Sequence, residues 1–417
     1  MNTEFDDDDN PQNLHDCRNG PRTQREWLQN ILLQRCGHTR IRDFQLDHGL
    51  DLINGRDVFL VTAPGSGKTL VSIAPLLWAQ SMKQSGIAIV VEPSKFLTEQ
   101  QSIVFAKYGI DAVAINEDTL REEFTRTKTS LFGRFKTAAS PGSDILAVFM
   151  TPWMLNSDGF FKLLQNQDIK AAIRWCVIDE AHLVNEQGTV WREPYNAIKL
   201  LRPRLLSSTI YLAITGTCSP SEDPIVTKNL GFLPGSYVHA RYSLDRSNLK
   251  FIPRFLQHAT STDTFLDLAF LIPLETASAT DIPTTLIFCK TIGLGYSVMT
   301  FLDTLIPASI ANHDRIILPC NSLWNAEHRN RFRRALESGV TRIGVCTDTC
   351  TLGVDIFNVS RVVVLDELSF NQLKQKLYRG GVTNRVVRRK LNQNKGLIGT
   401  LQPLITPGGA RTNVLRL

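Results

Sequence analysis

The octapeptide TAPGSGKT at Thr62 to Thr69 and the hexapeptide VIDEAH at Val177 to His182 decide how the rest of the chain is read. The first follows the apolar run DVFLV and precedes a helical run, the setting in which a glycine-rich turn becomes a phosphate site. Gly65 and Gly67, with Pro64 and Ser66 beside them, let backbone N–H groups approach phosphate oxygens. Lys68 supplies a point charge to the β and γ phosphates, and Thr69 a hydroxyl to Mg²⁺. Thr62 stands where the general pattern has glycine. In the second segment the apolar strand WCVID ends in Asp179 and Glu180, which puts two carboxylates at the carboxyl edge of a sheet, the expected ligand crevice. Asp179 is suited to hold Mg²⁺ through its water shell, Glu180 to orient and deprotonate a water, and His182 to report phosphate state to the rest of the protein. The pair points to a machine driven by a nucleoside triphosphate and Mg²⁺.

Outward from these segments, short β-rich runs alternate with helical stretches: DVFLVTA, Leu70 to Met82, GIAIVVEP, Lys95 to Tyr108, DILAVFMTP, WCVIDEA and TIYLAITGT. Apolar runs of this kind suit strands covered on both faces, so an α/β fold with parallel sheets between helices is expected. A second alternating set has strands at TTLIFC, RIILPC, TRIGVC and RVVVLD. The 417 residues exceed one ordinary core and favour two domains of similar construction. The expected division is an acidic, disordered segment at 1–24, a first domain at 25–225, a linker region at 226–263 rich in Pro, Ser and Gly, a second domain at 264–392 and a flexible basic tail at 393–417.

Six acids precede the first Lys or Arg, so the net charge of +6 would become about +12 without that stretch. From Leu368 onward there are ten Lys and Arg residues and no acid. A polyanion is the natural partner of such a surface, with a solvated charged tail as the plainer alternative. Eight scattered cysteines without a CxxC pair indicate neither a zinc cluster nor a disulfide framework. No stretch approaches a membrane span and the N-terminus is acidic, so a soluble intracellular protein with no membrane partner is expected.

Further segments make the chain resemble a superfamily 2 helicase motor and, within that group, the RecQ family of DNA helicases. GHTRIRDFQ at Gly37 to Gln45 is similar to the RecQ segment upstream of the phosphate loop, which implies that Arg42 and Gln45 contact the adenine side of ATP. PSKFLTEQQ, from Pro93 to Gln101, resembles motif Ia, and Thr151 with Pro152 resembles motif Ib; both imply contact with a nucleic-acid backbone. TGT at Thr215 to Thr217 resembles motif III, which links hydrolysis to strand binding. Gly188, Trp191, Arg192, Tyr195, Leu201 and Arg202 match the family's aromatic-rich loop, with Gln187 where the family has Trp. Stacking of Trp191 or Tyr195 on a base, with Arg192 nearby, is physically reasonable because every base offers a π face; aromatic packing under a helix is the alternative.

TLIFCKT at Thr285 to Thr291 resembles motif IV, and Thr347, Gly353 and Asp355 fall at matching places of motif V, the last two on the cofactor side. Leu352 replaces the Met of RecQ proteins and the Arg common in RNA helicases, which tilts the choice toward DNA. QKLYRGGV resembles motif VI and keeps Gln375, Arg379 and Gly381, but Tyr378 and Val382 stand where the family has Gly and its second Arg. That Arg is the usual finger on the γ-phosphate, so Arg385, three residues on, is the candidate to replace it.

The resemblance implies two tandem RecA-like domains with ATP and Mg²⁺ in the cleft between them, and 3′ to 5′ movement on single-stranded DNA with unwinding of duplex junctions. It further implies a monomer in the nucleus, without the zinc and winged-helix modules that usually follow. Two alternatives stay open: a binding paralogue with weak or no turnover, and an RNA helicase.

Overall fold

The computed structural model describes residues 21–37, 40–185, 195–245, 249–254, 256–258, 264–347, 356, 358–365, 373, 376 and 377. Trp191, Arg192, Gly353, Asp355, Arg379 and Arg385 lie outside them, as do residues 1–20 and 393–417.

Two compact units divide between Asp245 and Arg246. In the first, helices α1 (Pro21–Cys36) and α2 (Asp43–Ile53) precede β1 (Asp57–Val61), and α3 (Thr69–Ser81) follows the phosphate loop. Then come β2 (Gly86–Val91), α4 (Lys95–Lys107), β3 (Asp111–Ile115), α5 (Glu117–Thr127), β4 (Ile145–Met150), β5 (Ile173–Ile178) and β6 (Ile210–Thr215), with short helical turns between the later strands. The seven-stranded sheet has the order β3-β4-β2-β5-β6-β1 and a final strand, β7 (Tyr237–Arg241), and every pairing is parallel.

Alternation along each strand explains why it is buried on both faces. Phe59, Val61, Ile87 and Ile89 enter one apolar cluster, while Val58, Leu60, Ala88 and Val90 enter the other. Parallel strands need helical crossovers, and the crossovers cover both faces. Side-chain caps set the helix starts: Ser94 Oγ accepts from Leu97 N–H at 3.3 Å, and Asn116 Oδ1 accepts from the N–H groups of Asp118 and Thr119 at 3.0 Å each.

The expected boundary at 225 is corrected by this topology. Helix α6 (Asp223–Asn229) and β7 belong to the first unit, with β7 paired to β1 from Asp57↔Tyr237 to Val61↔Arg241. YVHAR is short and its apolar alternation is only Val238 and Ala240, which pack into one cluster of the sheet, a weak announcement of an edge strand. It is held by polar contacts: buried Asp223 accepts from Arg241 Nε at 2.8 Å and lies 2.9 Å from His239 Nε2. The division falls later, inside the segment expected as linker. At the N-terminus α1 begins at Pro21, within the stretch expected to be disordered, and it continues to Cys36.

The second unit holds a four-stranded parallel sheet in the order β11-β8-β10-β9, built from β8 (Thr285–Cys289), β9 (Ile317–Cys320), β10 (Ile343–Cys346) and β11 (Arg361–Leu365). Helices α7 (Ile292–Leu305) and α8 (Ala326–Glu337) follow β8 and β9. Ile287 and Val345 face one cluster, Leu286 and Phe288 the other, repeating the two-sided burial of the first sheet.

Arg202, read in sequence with the aromatic-rich loop, is a structural clamp of the first unit. Its guanidinium lies 3.8 Å from the Tyr211 ring centroid and 4.9 Å from that of Phe232, donates to Asp57 Oδ2 at 2.8 Å and to Leu230 O at 3.3 Å. Asp57 Oδ1 in turn accepts from Tyr211 N–H at 2.7 Å, which ties the start of β1 to β6. Arg202→Ala would leave Asp57 without its cation and expose the rings. A loss of roughly 2–4 kcal/mol in the unfolding free energy of the first unit is expected from urea titration, and Arg202→Lys restores little of it because the planar stacking is lost.

Candidate nucleotide site

The site grows from strand ends. β1 stops at Val61 and the chain turns directly into the phosphate loop, where Thr62 N–H donates to Thr215 O at 3.1 Å and Ser66 N–H to Ala63 O at 3.1 Å. Gly65 and Gly67 adopt φ of +74° and +86°, a region that side chains with a Cβ rarely enter. A Cβ on Gly67 would stand 2.5 Å from Gln45 Nε2, whereas one on Gly65 would meet nothing within 4 Å, so the loop is open on that side. The first turn of α3 is tied to the loop: Leu70 N–H donates to Gly67 O at 3.1 Å and Val71 N–H to Lys68 O at 3.0 Å.

Arg42 and Gln45, the expected adenine-side residues, are fastened to this loop. Arg42 Nη1 donates to Ser66 O at 2.7 Å, Gln45 Nε2 donates to Gly67 O at 3.0 Å, and Gln45 Oε1 accepts from Arg42 N–H at 2.9 Å. Motif III approaches from the opposite side. A Cβ on Gly216 would fall 3.0 Å from Pro64 Cγ and 3.3 Å from Lys68 Nζ, so a larger residue there would push the loop or its lysine aside.

The acids arrive from β5. Asp179 N–H donates to Val91 O at 3.1 Å, Asp179 Oδ1 accepts from Glu180 N–H at 2.8 Å, and Lys68 Nζ stands 3.9 Å from Asp179 Oδ1. Glu180 has φ of +47°, a costly conformation for a residue with a side chain, and it re-aims the carboxylate as the strand ends. Glu180 Oε2 lies 3.5 Å from His182 Nδ1, and that nitrogen is 2.8 Å from Thr215 Oγ1. Thr217 Oγ1 is 3.4 Å from each nitrogen of the buried His182 ring. His182 therefore sits between the second acid and motif III.

One buried acid at this edge escaped the sequence reading. Glu92 closes the fully buried strand GIAIVV as Asp179 closes IRWCVI, and an acid ending an apolar strand was the available signal. Glu92 is 3% exposed. Burial, then the charges of Asp179 and Glu180, hold its carboxyl well above the usual range, with Lys68 opposing. Asp179 is raised as well, by burial first and by Glu180, again against the pull of Lys68.

The expected nucleic-acid residues divide. Pro93 and Gln101 are half-buried on either side of the start of α4, while Thr151 and Pro152 are buried at the end of β4. The segment offers solvent Trp153 instead, 65% exposed. Tyr195, expected on a base, packs half-buried against the core of the first sheet. Thr347 borders a small recess of the second unit together with Ile292, Tyr296 and Asn321.

The residues present fit ATP and a divalent cation. The loop is open at Gly65, and Ser66 Oγ beside it is buried with no hydrogen-bond partner among the described residues, a polar atom that a phosphate would satisfy. Backbone N–H groups of Gly65, Gly67, Lys68 and Thr69, and the Lys68 ammonium, would hold phosphate oxygens, and Thr69 and Asp179 the cation.

Residues 42–222 match the DEAD/DEAH box helicase family. The chain is 25% identical over 264 residues to the ATP-dependent helicase wrn-1 of Caenorhabditis elegans, covering 63% of this chain and 23% of the relative. To the ATP-dependent DNA helicase RecQ of Bacillus subtilis it is 26% identical over 226 residues, 54% of this chain and 34% of the relative. The chain thus spans about a third or less of these relatives' length. Among solved structures, Saccharomyces cerevisiae Dbp5 bound to RNA and ADP BeF3 superposes with a TM-score of 0.56 at 17% identity, covering 87% of this chain and 88% of that one. The DUF1998 helicase MrfA bound to DNA and AMPPNP gives 0.62 at 16% identity, covering 88% and 52%. These neighbours establish the fold as two tandem RecA-like α/β domains.

Gly67→Ala tests the loop geometry. Backbone strain of roughly 1–3 kcal/mol predicts a loss of about tenfold or more in affinity for a fluorescent ATP analogue. Adding Gln45→Ala removes the steric clash but leaves φ of +86°. The double variant should recover only part of the loss.

Proposed function

We propose that this chain, a RecQ-like superfamily 2 helicase, hydrolyses ATP to move 3′ to 5′ along single-stranded DNA and to open duplex junctions. The observation that carries the reading is the convergence of Lys68, Asp179, Glu180 and Thr215 at one sheet edge, with Lys68 Nζ 3.9 Å from Asp179 Oδ1 and His182 bridging Glu180 to Thr215. The DNA preference rests on relatives named as RecQ and as DNA helicases, and on Leu352 in motif V.

ATP bound with Mg²⁺ supplies the phosphoryl group, and the cation neutralises charge on its oxygens. Lys68 orients the terminal phosphate and offsets its charge. Glu180 orients a water and takes its proton on its carboxylate. His182 senses where Glu180 sits and passes that position to Thr215 and Thr217. Pro93, Gln101, Thr151, Pro152 and Trp153 form the nucleic-acid side of the first unit, with strand contacts made through backbone and through the exposed Trp153 ring. Thr347 is the corresponding contact of the second unit. Arg379 and Arg385 belong to motif VI, with Arg385 in the role of the missing finger. On this reading the protein works in the nucleus as a monomer.

Single-stranded DNA should raise the steady-state ATPase rate of the full chain strongly, and RNA of the same sequence much less. Glu180→Gln should lower kcat by roughly 10²–10⁴-fold while nucleotide still binds, whereas Lys68→Ala should lose binding as well. Equal stimulation by RNA would reassign the track, and affinity without stimulation would make the protein a binding module. Arg385→Ala is expected to cost about 10³-fold in kcat with nucleotide affinity kept. Unchanged turnover would remove Arg385 from the mechanism.

A further inference from the structure

The phosphate loop has a neighbour on each side across the sheet, and the motifs account for only one of them. In the strand order β6 lies between β5 and β1, while β7 flanks β1 on the other side. On the β6 side Thr62 N–H donates to Thr215 O at 3.1 Å. On the β7 side the ladder also runs past the strand ends, and Tyr242 N–H donates to Val61 O at 2.8 Å. Tyr242 therefore stands at the carboxyl edge where the phosphate loop begins. Asp179 and Glu180 come from the end of β5. A nucleotide whose terminal phosphate is aligned with them carries its base away from β5, past β1, toward β7 and the first turn of α2.

Tyr242 is fixed at that place. It is 37% exposed, and its ring centroid lies 5.2 Å from that of Phe44, a half-buried residue between Arg42 and Gln45. Its hydroxyl is 2.8 Å from Nε2 of the buried His48, whose Nδ1 is 2.9 Å from Asp51 Oδ2. Arg56 donates to the other oxygen of Asp51. A neutral imidazole that donates to Asp51 from Nδ1 accepts the Tyr242 hydroxyl at Nε2. The row from Arg56 through Asp51 and His48 thus holds the hydroxyl end of the ring, while more than a third of the residue stays open to solvent. Gln45, in the same turn as Phe44, donates to Gly67 O at 3.0 Å, so ring and loop hang on one helix. A ring held in advance loses little freedom on binding, and an aromatic face stacks on any base.

We infer that Tyr242 is the nucleobase-stacking residue of the nucleotide site, with Phe44 beside it and His48 as the positioning residue that sets its ring. This rests on the reading of the loop as a nucleotide site. It gives that site a contact that depends on the base and not on the phosphates, on the side of β1 opposite the acids. The plainer role for Tyr242 is to pin α2 to the end of β7. Pinning serves every ligand of the loop alike, whereas stacking serves only a ligand that carries a base. Tyr242 lies beyond TGT at Thr215 to Thr217 and before TLIFCKT at Thr285 to Thr291, so no motif singles it out.

Calorimetric titration of the full chain with Mg²⁺ and either a non-hydrolysable ATP analogue or inorganic tripolyphosphate, which has the phosphates without the base, tests the inference. Tyr242→Ala should weaken the ATP analogue by roughly tenfold, the scale of one base–aromatic stack, and leave tripolyphosphate unchanged. Tyr242→Phe should keep most of the affinity, and His48→Ala should lose part of it, again with tripolyphosphate unchanged. Circular dichroism checks that each variant is folded. Photolysis of 8-azido-ATP on the wild type gives an independent readout, and the label should fall on Tyr242 or Phe44. If Tyr242→Ala weakens both ligands equally, or neither, or if the label falls only elsewhere, the stacking assignment is wrong. If His48→Ala binds both ligands as the wild type does, its positioning role is wrong. Lys68→Ala should lose both ligands; if it keeps both, the nucleotide-site reading itself fails, whatever Tyr242 does.

Discussion

The structure depends on one electrostatic constraint: carboxylates buried at a sheet edge must be matched by positive charge. Glu92, Asp179 and Glu180 are delivered by adjacent parallel strands, and Lys68 is delivered by the loop after β1. Burial raises the first two carboxyls, and Lys68 opposes the rise. In a medium of low effective dielectric such a group is costly unless it is paired or liganded. The same constraint explains why the loop is braced so closely. Arg42 and Gln45 fasten it from α2, and Gly216 lets motif III touch it from β6.

A parallel sheet is well suited to impose this arrangement. Its strands all end on one side, so a single topology gathers the phosphate loop, Glu92, Thr151, Asp179 and Thr215 at one edge. Each residue comes from a different stretch of sequence, and the register fixes neighbours that are far apart along the chain. Close packing on both faces resists slippage of the strands, because a shift of one residue would put each side chain into a space shaped for another. His182 then has a defined place between Glu180 and Thr215, where a movement of the acid can be felt by motif III.

Much of this was legible in the sequence, for physical reasons that differ from residue to residue. The central strands announced themselves as apolar runs, and the phosphate loop by glycines that only a tight turn requires. The edge strand YVHAR did so only weakly, because its apolar alternation is just Val238 and Ala240 and its place rests also on pairing with β1 and on the Asp223–Arg241 contact. Arg202 read as part of a nucleic-acid loop, yet its neighbours in space, Tyr211, Phe232 and Asp57, make it a clamp. Tyr195 likewise packs inward. Glu92 was hidden by adjacency: its meaning appears only when β2 and β5 are set side by side.

The account's central claim is that the carboxyl edge of the first sheet is a site for nucleotide and a divalent cation. The most direct measurement is a crystal structure of the full chain with a non-hydrolysable ATP analogue and Mn²⁺, with the cation located by its anomalous signal. The account predicts phosphates on the N–H groups of Gly65, Gly67, Lys68 and Thr69 and a cation beside Thr69 and Asp179. A nucleotide bound elsewhere, or a cation absent from Asp179, would contradict it.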